Sequence, residues 1–187
     1  MVEDIPARGY DARPMINRAH DQPLCPEGDF RFWAGVGASA LLVYSLGCLA
    51  GASALMPGIP GDAAIIQRLS AAGAAVVWII LCTAAGSLAF ATLSLVRGRP
   101  AGSAFDIASR TFACVAVAML AHFVPVGHGA FKTAFDGASF AVASALLARS
   151  AFRVAPLDAF AATSIATGIV GALAAAAFVV DWAVRPG

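Results

Sequence analysis

Residues 33–56 read WAGVGASALLVYSLGCLAGASALM, twenty-four residues without one charge. With a rise of about 1.5 Å per residue, a helix of that length crosses a hydrocarbon core of about 30 Å. Pro57-Gly58-Ile59-Pro60-Gly61-Asp62 supplies the turn chemistry that ends it. Ala52-Ser53-Ala54 mimics a signal-peptidase site. The segment ahead of the run is not the short, positive leader of a secretory signal, so the run is read as a retained transmembrane helix.

Upstream, residues 1–32 are polar and interrupted by Pro6, Pro14, Pro23 and Pro26, which break any helix. Six acids (Glu3, Asp4, Asp11, Asp21, Glu27, Asp29) face four arginines (Arg8, Arg13, Arg18, Arg31). So few apolar residues cannot offset an ordering entropy of about 1–2 kcal/mol per residue. The segment is expected to be an extended cytoplasmic arm, with Met15, Ile16 and Leu24 as its docking contacts.

Downstream, further apolar runs place spans at 72–96, 107–126, 131–152 and 159–180. Residues 63–71 read as a short interfacial helix with Arg68 on its wet side. Arg97-Gly98-Arg99-Pro100 closes the second span. The fourth is the shortest in uninterrupted apolar sequence, because Asp136 and Arg149 bracket only residues 137–148. It reaches membrane length only if Lys132 and Arg149 snorkel toward the two interfaces. The expectation is an all-α integral membrane protein, a bundle of about five transmembrane helices from residue 33 to 187 with an extended polar N-terminal arm.

Composition agrees: of the 187 residues, 60% are hydrophobic and only 12% charged, far from a soluble globular domain. The net charge of +1 sets up no field for nucleic acid. All but one of the twelve basic residues are arginine, and Ala and Gly are abundant, the usage of a GC-rich bacterial genome. With the N-terminus inside, five crossings put nine Lys or Arg residues inside and three outside. That asymmetry predicts a bacterial inner membrane with N-in, C-out topology.

Small residues are the packing signal. Gly47-x-x-x-Gly51 gives the first helix a thin face, and Gly168 and Gly171 do the same for the fifth. Such faces let helices approach closely, within the chain or against another subunit. Cys25, Cys48, Cys82 and Cys114 are far apart, so there is no C-x-x-C redox pair and no zinc-type spacing.

The topology gathers His122, His128, Lys132, Asp136 and Asp181 near the outer interface as a possible ionisable cluster. Lys132 and Asp136, four apart, can pair. Ala118-x-x-x-His122 resembles the pattern by which light-harvesting helices seat bacteriochlorophyll, which makes His122 a candidate cofactor ligand. Arg99-Pro100, Pro125-Val126-Gly127-His128 and Pro156-Leu157-Asp158 are faintly similar to the ordered motifs of membrane lipid-phosphate phosphatases. Val126 stands in place of the serine there, Val154 in place of the nucleophilic histidine, and the block spacing is too short. On the inner side Asp106 and Arg110 are an i, i+4 pair, and Arg97, Arg99, Arg149 and Arg153 ring the lipid headgroups.

No catalytic constellation emerges. The expected function is a non-catalytic accessory subunit of a larger membrane complex, contacting lipid and other membrane subunits. Two alternatives remain open: a small transporter or channel component using the outer cluster, and a haem- or bacteriochlorophyll-binding subunit.

Overall fold

The computed structural model describes residue 25, residues 28–50, 65–124 and 129–184. Helix is the only regular secondary structure among these residues. The elements are α1 (Phe30–Leu49), α2 (Ile65–Arg97), α3 (Ala104–Met119) with a 3-10 turn (Leu120–Phe123), α4 (Gly129–Phe152) and α5 (Pro156–Val184). Four of these segments are long and apolar enough to cross a membrane: α1, α2, Ala104–Phe123 and the Pro156–Ala177 stretch of α5.

Helix ends follow from local chemistry. Gly98, at φ +62°, closes α2: its amide bonds the Leu95 carbonyl at 3.2 Å, and that of Arg99 bonds the Ser94 carbonyl at 3.0 Å. This is the left-handed cap that glycine adopts without strain. Arg153 (φ 52°) turns the chain after α4, and Pro156 opens α5, where a missing amide proton costs nothing. Within the helices, Thr83, Ser87, Thr111, Thr163 and Thr167 each donate to the carbonyl four residues back. Their hydroxyls are thereby satisfied without water.

α2 corrects one expectation. Residues 65–71 are not a separate interfacial helix but the first turns of a continuous 33-residue helix. No proline interrupts the stretch, and the isolated glycines Gly73 and Gly86 are tolerated. Arg68 there donates to the Leu49 carbonyl at 3.3 Å and so ties α2 to the end of α1.

α3 is the central helix, packed on α1, α2 and α4. Its contact with α1 is the most extensive in the bundle. The close approach runs through Gly37, where an added Cβ would strike the Phe112 ring, and Gly47, where it would lie 2.7 Å from the Phe123 ring. Gly51 of the expected small-residue face is outside the described residues. Gly168 and Gly171 make no close approach, since a Cβ at either would meet nothing within 4 Å. α5 packs on α2 and α4 and leaves most of its surface uncovered.

α4 is the least apolar helix, and it nevertheless runs alongside α3 for that helix's full depth. Near its start Lys132 reaches the carbonyls of His122 and Val124; near its end the Ala151 carbonyl meets Arg110, in the second turn of α3. The core divides into two clusters. One gathers Phe90, Leu93, Cys114, Phe152 and Ala162 around stacked Phe90 and Phe152 rings, 3.8 Å between centroids. The other gathers Tyr44, Cys48, Ile79, Cys82, Val115 and Met119.

Candidate functional site

At one end of the bundle α4 brings Lys132 and Asp136 inward rather than to the rim. Their side chains are each 5% exposed, and Lys132 Nζ lies 2.6 Å from Asp136 Oδ1. The same ammonium donates to the His122 carbonyl at 3.0 Å and the Val124 carbonyl at 2.9 Å. An ammonium has three protons to donate, and here three acceptors receive them. The 3-10 turn explains the geometry: α3 ends there, its last carbonyls have no helical partner, and Lys132 supplies one. Snorkelling of Lys132 to an interface is therefore not what occurs. The buried cation is held by a carboxylate and by orphan carbonyls.

Asp136 keeps one buried oxygen, Oδ2, that meets no hydrogen-bond partner among the described residues. Tyr44, fully buried on α1, lies within electrostatic range of this carboxylate and hydrogen-bonds Cys48 one turn on.

His122 contributes its backbone to this end more than its ring. Its Nδ1 donates to the Met119 carbonyl at 3.0 Å, and the ring meets the Phe140 ring edge-on at 6.4 Å between centroids. Because Leu120–Phe123 is wound as 3-10, His122 is turned out of α-helical register with Ala118. His128 lies outside the described residues. Asp181 falls in the last turns of α5, and its side chain is not among the described ones.

At the opposite end sits an arginine hub. Arg110, its side chain 3% exposed, donates to the Ala151 carbonyl and hydrogen-bonds the Cys25 side chain. Its guanidinium lies 5.5 Å from the centre of the Trp33 ring, and one of its nitrogens 3.7 Å from Asp29. A planar cation suits a ring face and a carbonyl at once. The expected pairing of Arg110 with Asp106 does not form. Asp106 is buried, and its Oδ1 finds no hydrogen-bond partner among the described residues. Arg110 points instead across the bundle, where it joins the end of the arm, α1 and the end of α4.

Of the arm, the structure places Cys25, Gly28 and Asp29, while Phe30–Phe32, expected to belong to it, already form the first turn of α1. Cys25 is fully buried, with its carbonyl against Gly102. Burial pushes its thiol up to about 11, against a smaller opposing pull from Arg110. Cys25 is thus docked against the bundle; Met15, Ile16 and Leu24 lie outside the described residues. Of the four arginines placed at the headgroups, Arg149 and Arg153 are exposed, while Arg97 is engaged by Asp158 of α5 at 3.0 Å through Nε. Arg99 is half-buried.

Between these ends lies a cavity of about 300 Å³ walled by α2, α3, α4 and α5. Among the described residues, no titratable side chain lines it apart from Cys82 and Cys114. Among the described residues no group of three His, Cys, Asp or Glu side chains is placed to hold a metal ion.

Sequence reasoning singled out Lys132, Asp136 and His122, and the structure brings the first two together with the backbone of the third. It missed Tyr44, Cys25 and the hub role of Arg110. An arginine in the second turn of an apolar run was the available signal, since such a charge must find partners. Comparison with protein-family models, curated proteins and solved structures finds no match to the chain.

Proposed function

We propose that this chain is a non-catalytic interaction subunit of a larger assembly in a bacterial inner membrane. The observation that carries the reading is the closure of Lys132. Its three donors meet Asp136 and two backbone carbonyls, so the group best suited to a proton or ion relay is committed to joining α3 and α4. Among the described residues, the cavity through which a solute would pass is lined by no carboxylate, imidazole or amine. α5 adds a long, small-residue surface that its own chain leaves uncovered, a surface that suits a neighbouring helix.

The orientation in this reading is N-terminus inside, with the Arg110 end facing the cytoplasm, because Arg97, Arg99, Arg149 and Arg153 cluster there. A C-terminal reporter fusion active only in the cytoplasm would overturn the orientation.

Purification of the tagged chain in mild detergent, with identification of co-purifying membrane proteins, tests the function. Stoichiometric partners are expected. A chain that purifies alone and moves protons or cations across vesicles would replace this reading with a transporter. An absorbance band from a bound tetrapyrrole would replace it with a pigment or haem subunit.

A further inference from the structure

The cavity has a shape as well as a volume. Its lining runs from Gly137 to Phe152 on α4 and from Ala162 to Ala174 on α5. At about 1.5 Å per residue that is a slot roughly 18–22 Å long, parallel to the helices. Phe90 and Phe152, stacked and buried, close one end. Toward the other end Gly137, Thr167, Gly171 and Ala174 are exposed, so the slot opens sideways between α4 and α5.

Its chemistry is hydrocarbon. The hydroxyls of Thr111, Thr163 and Thr167 are turned back onto their own helices. Ser144 Oγ alone among the lining hydroxyls is buried with no partner among the described residues. One hydroxyl is too little to hold water, which needs two to four polar partners. A helix, about 10–12 Å across with its side chains, would need several times the volume available.

We propose that the slot holds one acyl chain of a bilayer phospholipid, entering between Gly137 and Gly171 with its methyl end toward the Phe90–Phe152 stack. The inference does not depend on the proposed function. Among the described residues no cation lines the slot, so the chain is recognised and the headgroup is not.

The test reconstitutes the protein into vesicles of phosphatidylglycerol and phosphatidylethanolamine, re-extracts it, and counts retained lipids by native mass spectrometry. One phospholipid per chain is expected, with less than about threefold preference between the two headgroups. Gly171→Phe places a ring where a Cβ meets nothing within 4 Å and fills the slot, so retention should fall at least tenfold. Gly168→Phe, equally open but outside the lining, should retain the lipid. If Gly171→Phe does not fold, Gly137→Phe carries the same comparison. Equal retention in the filled variant, no retained lipid in the wild type, or a retained peptide or pigment would overturn the proposal.

Discussion

Lys132 and Asp136 are one helical turn apart and 2.6 Å from each other, each side chain 5% exposed. A buried pair of this kind is costly to break from one side, by about 3–5 kcal/mol, because the remaining charge stays buried. Lys132→Met should be the worse single change, since it also abandons the carbonyls of His122 and Val124. Lys132→Met with Asp136→Leu should be markedly less destabilised than the sum of the two singles. Thermal unfolding in detergent of the four proteins reads this directly; additive losses would show that the pair is not coupled.

Arg110 offers a contrast between a buried and an exposed contact. Arg110→Leu leaves the Ala151 carbonyl without its donor and removes the cation from the Trp33 face. A lost hydrogen bond to a charged group costs about 1.5–3 kcal/mol. Arg110→Lys should recover little, because a point charge lacks the planar fork. Asp29→Ala should cost only about 0–1 kcal/mol, since Asp29 is 61% exposed. Unfolding midpoints that rank Asp29→Ala beside Arg110→Leu would contradict this account.

Gly102 has φ +91°, and a Cβ there would lie 2.6 Å from the Cys25 carbonyl oxygen. Gly102→Ala should therefore lift the arm from the bundle. In a chain whose other three cysteines are alanine, maleimide should label Cys25 slowly near neutral pH in the parent and readily in Gly102→Ala. Parent labelling should quicken toward pH 11, where the thiolate forms in place. Linkage gives a matching stability profile. The folded thiol titrates above the ordinary 9.0, at about 11, so its contribution is complete below pH 9 and is lost as pH rises through about 11. A flat profile over that window would mean Cys25 is not buried.

Two glycines should separate packing within the chain from packing between chains. Gly37→Val drives a side chain into the Phe112 ring and should part α1 from α3, lowering stability of the isolated protein. Gly168→Val meets nothing of its own chain and should leave that stability unchanged. If α5 docks a partner, the second substitution should reduce co-purifying protein. Unchanged co-purification would move the docking surface off this face of α5.

What was legible in the sequence depended on where the partners lie. Charge-free runs revealed the apolar helices because length and composition act locally. Lys132 and Asp136 could be paired on paper since both are on one helix. Their burial could not be read, because the acceptors that make it tolerable are carbonyls of His122 and Val124, and a carbonyl has no letter in a sequence. Arg110 failed for the same reason: the nearby Asp106 offered a local partner, while the real ones are Cys25, Trp33 and the Ala151 carbonyl. The slot is a lack of side-chain volume between four helices and leaves no motif at all.

The dependence of Lys132 on the end of α3 bears on how the chain is built during synthesis. Emerging alone, α4 would present a lysine and an aspartate in its first two turns to lipid, with no carbonyls to receive the ammonium; each such charge costs about 2.5–3.5 kcal/mol at mid-membrane and less toward a helix end. At 24 residues it is long enough to cross, but it is the one helix of the five that falls short of the apolarity a lone crossing requires. The expected outcome is that α3 and α4 leave the translocation machinery together, as a hairpin joined at Lys132. A reporter segment carrying α4 alone should stay out of the bilayer that the two-helix segment enters.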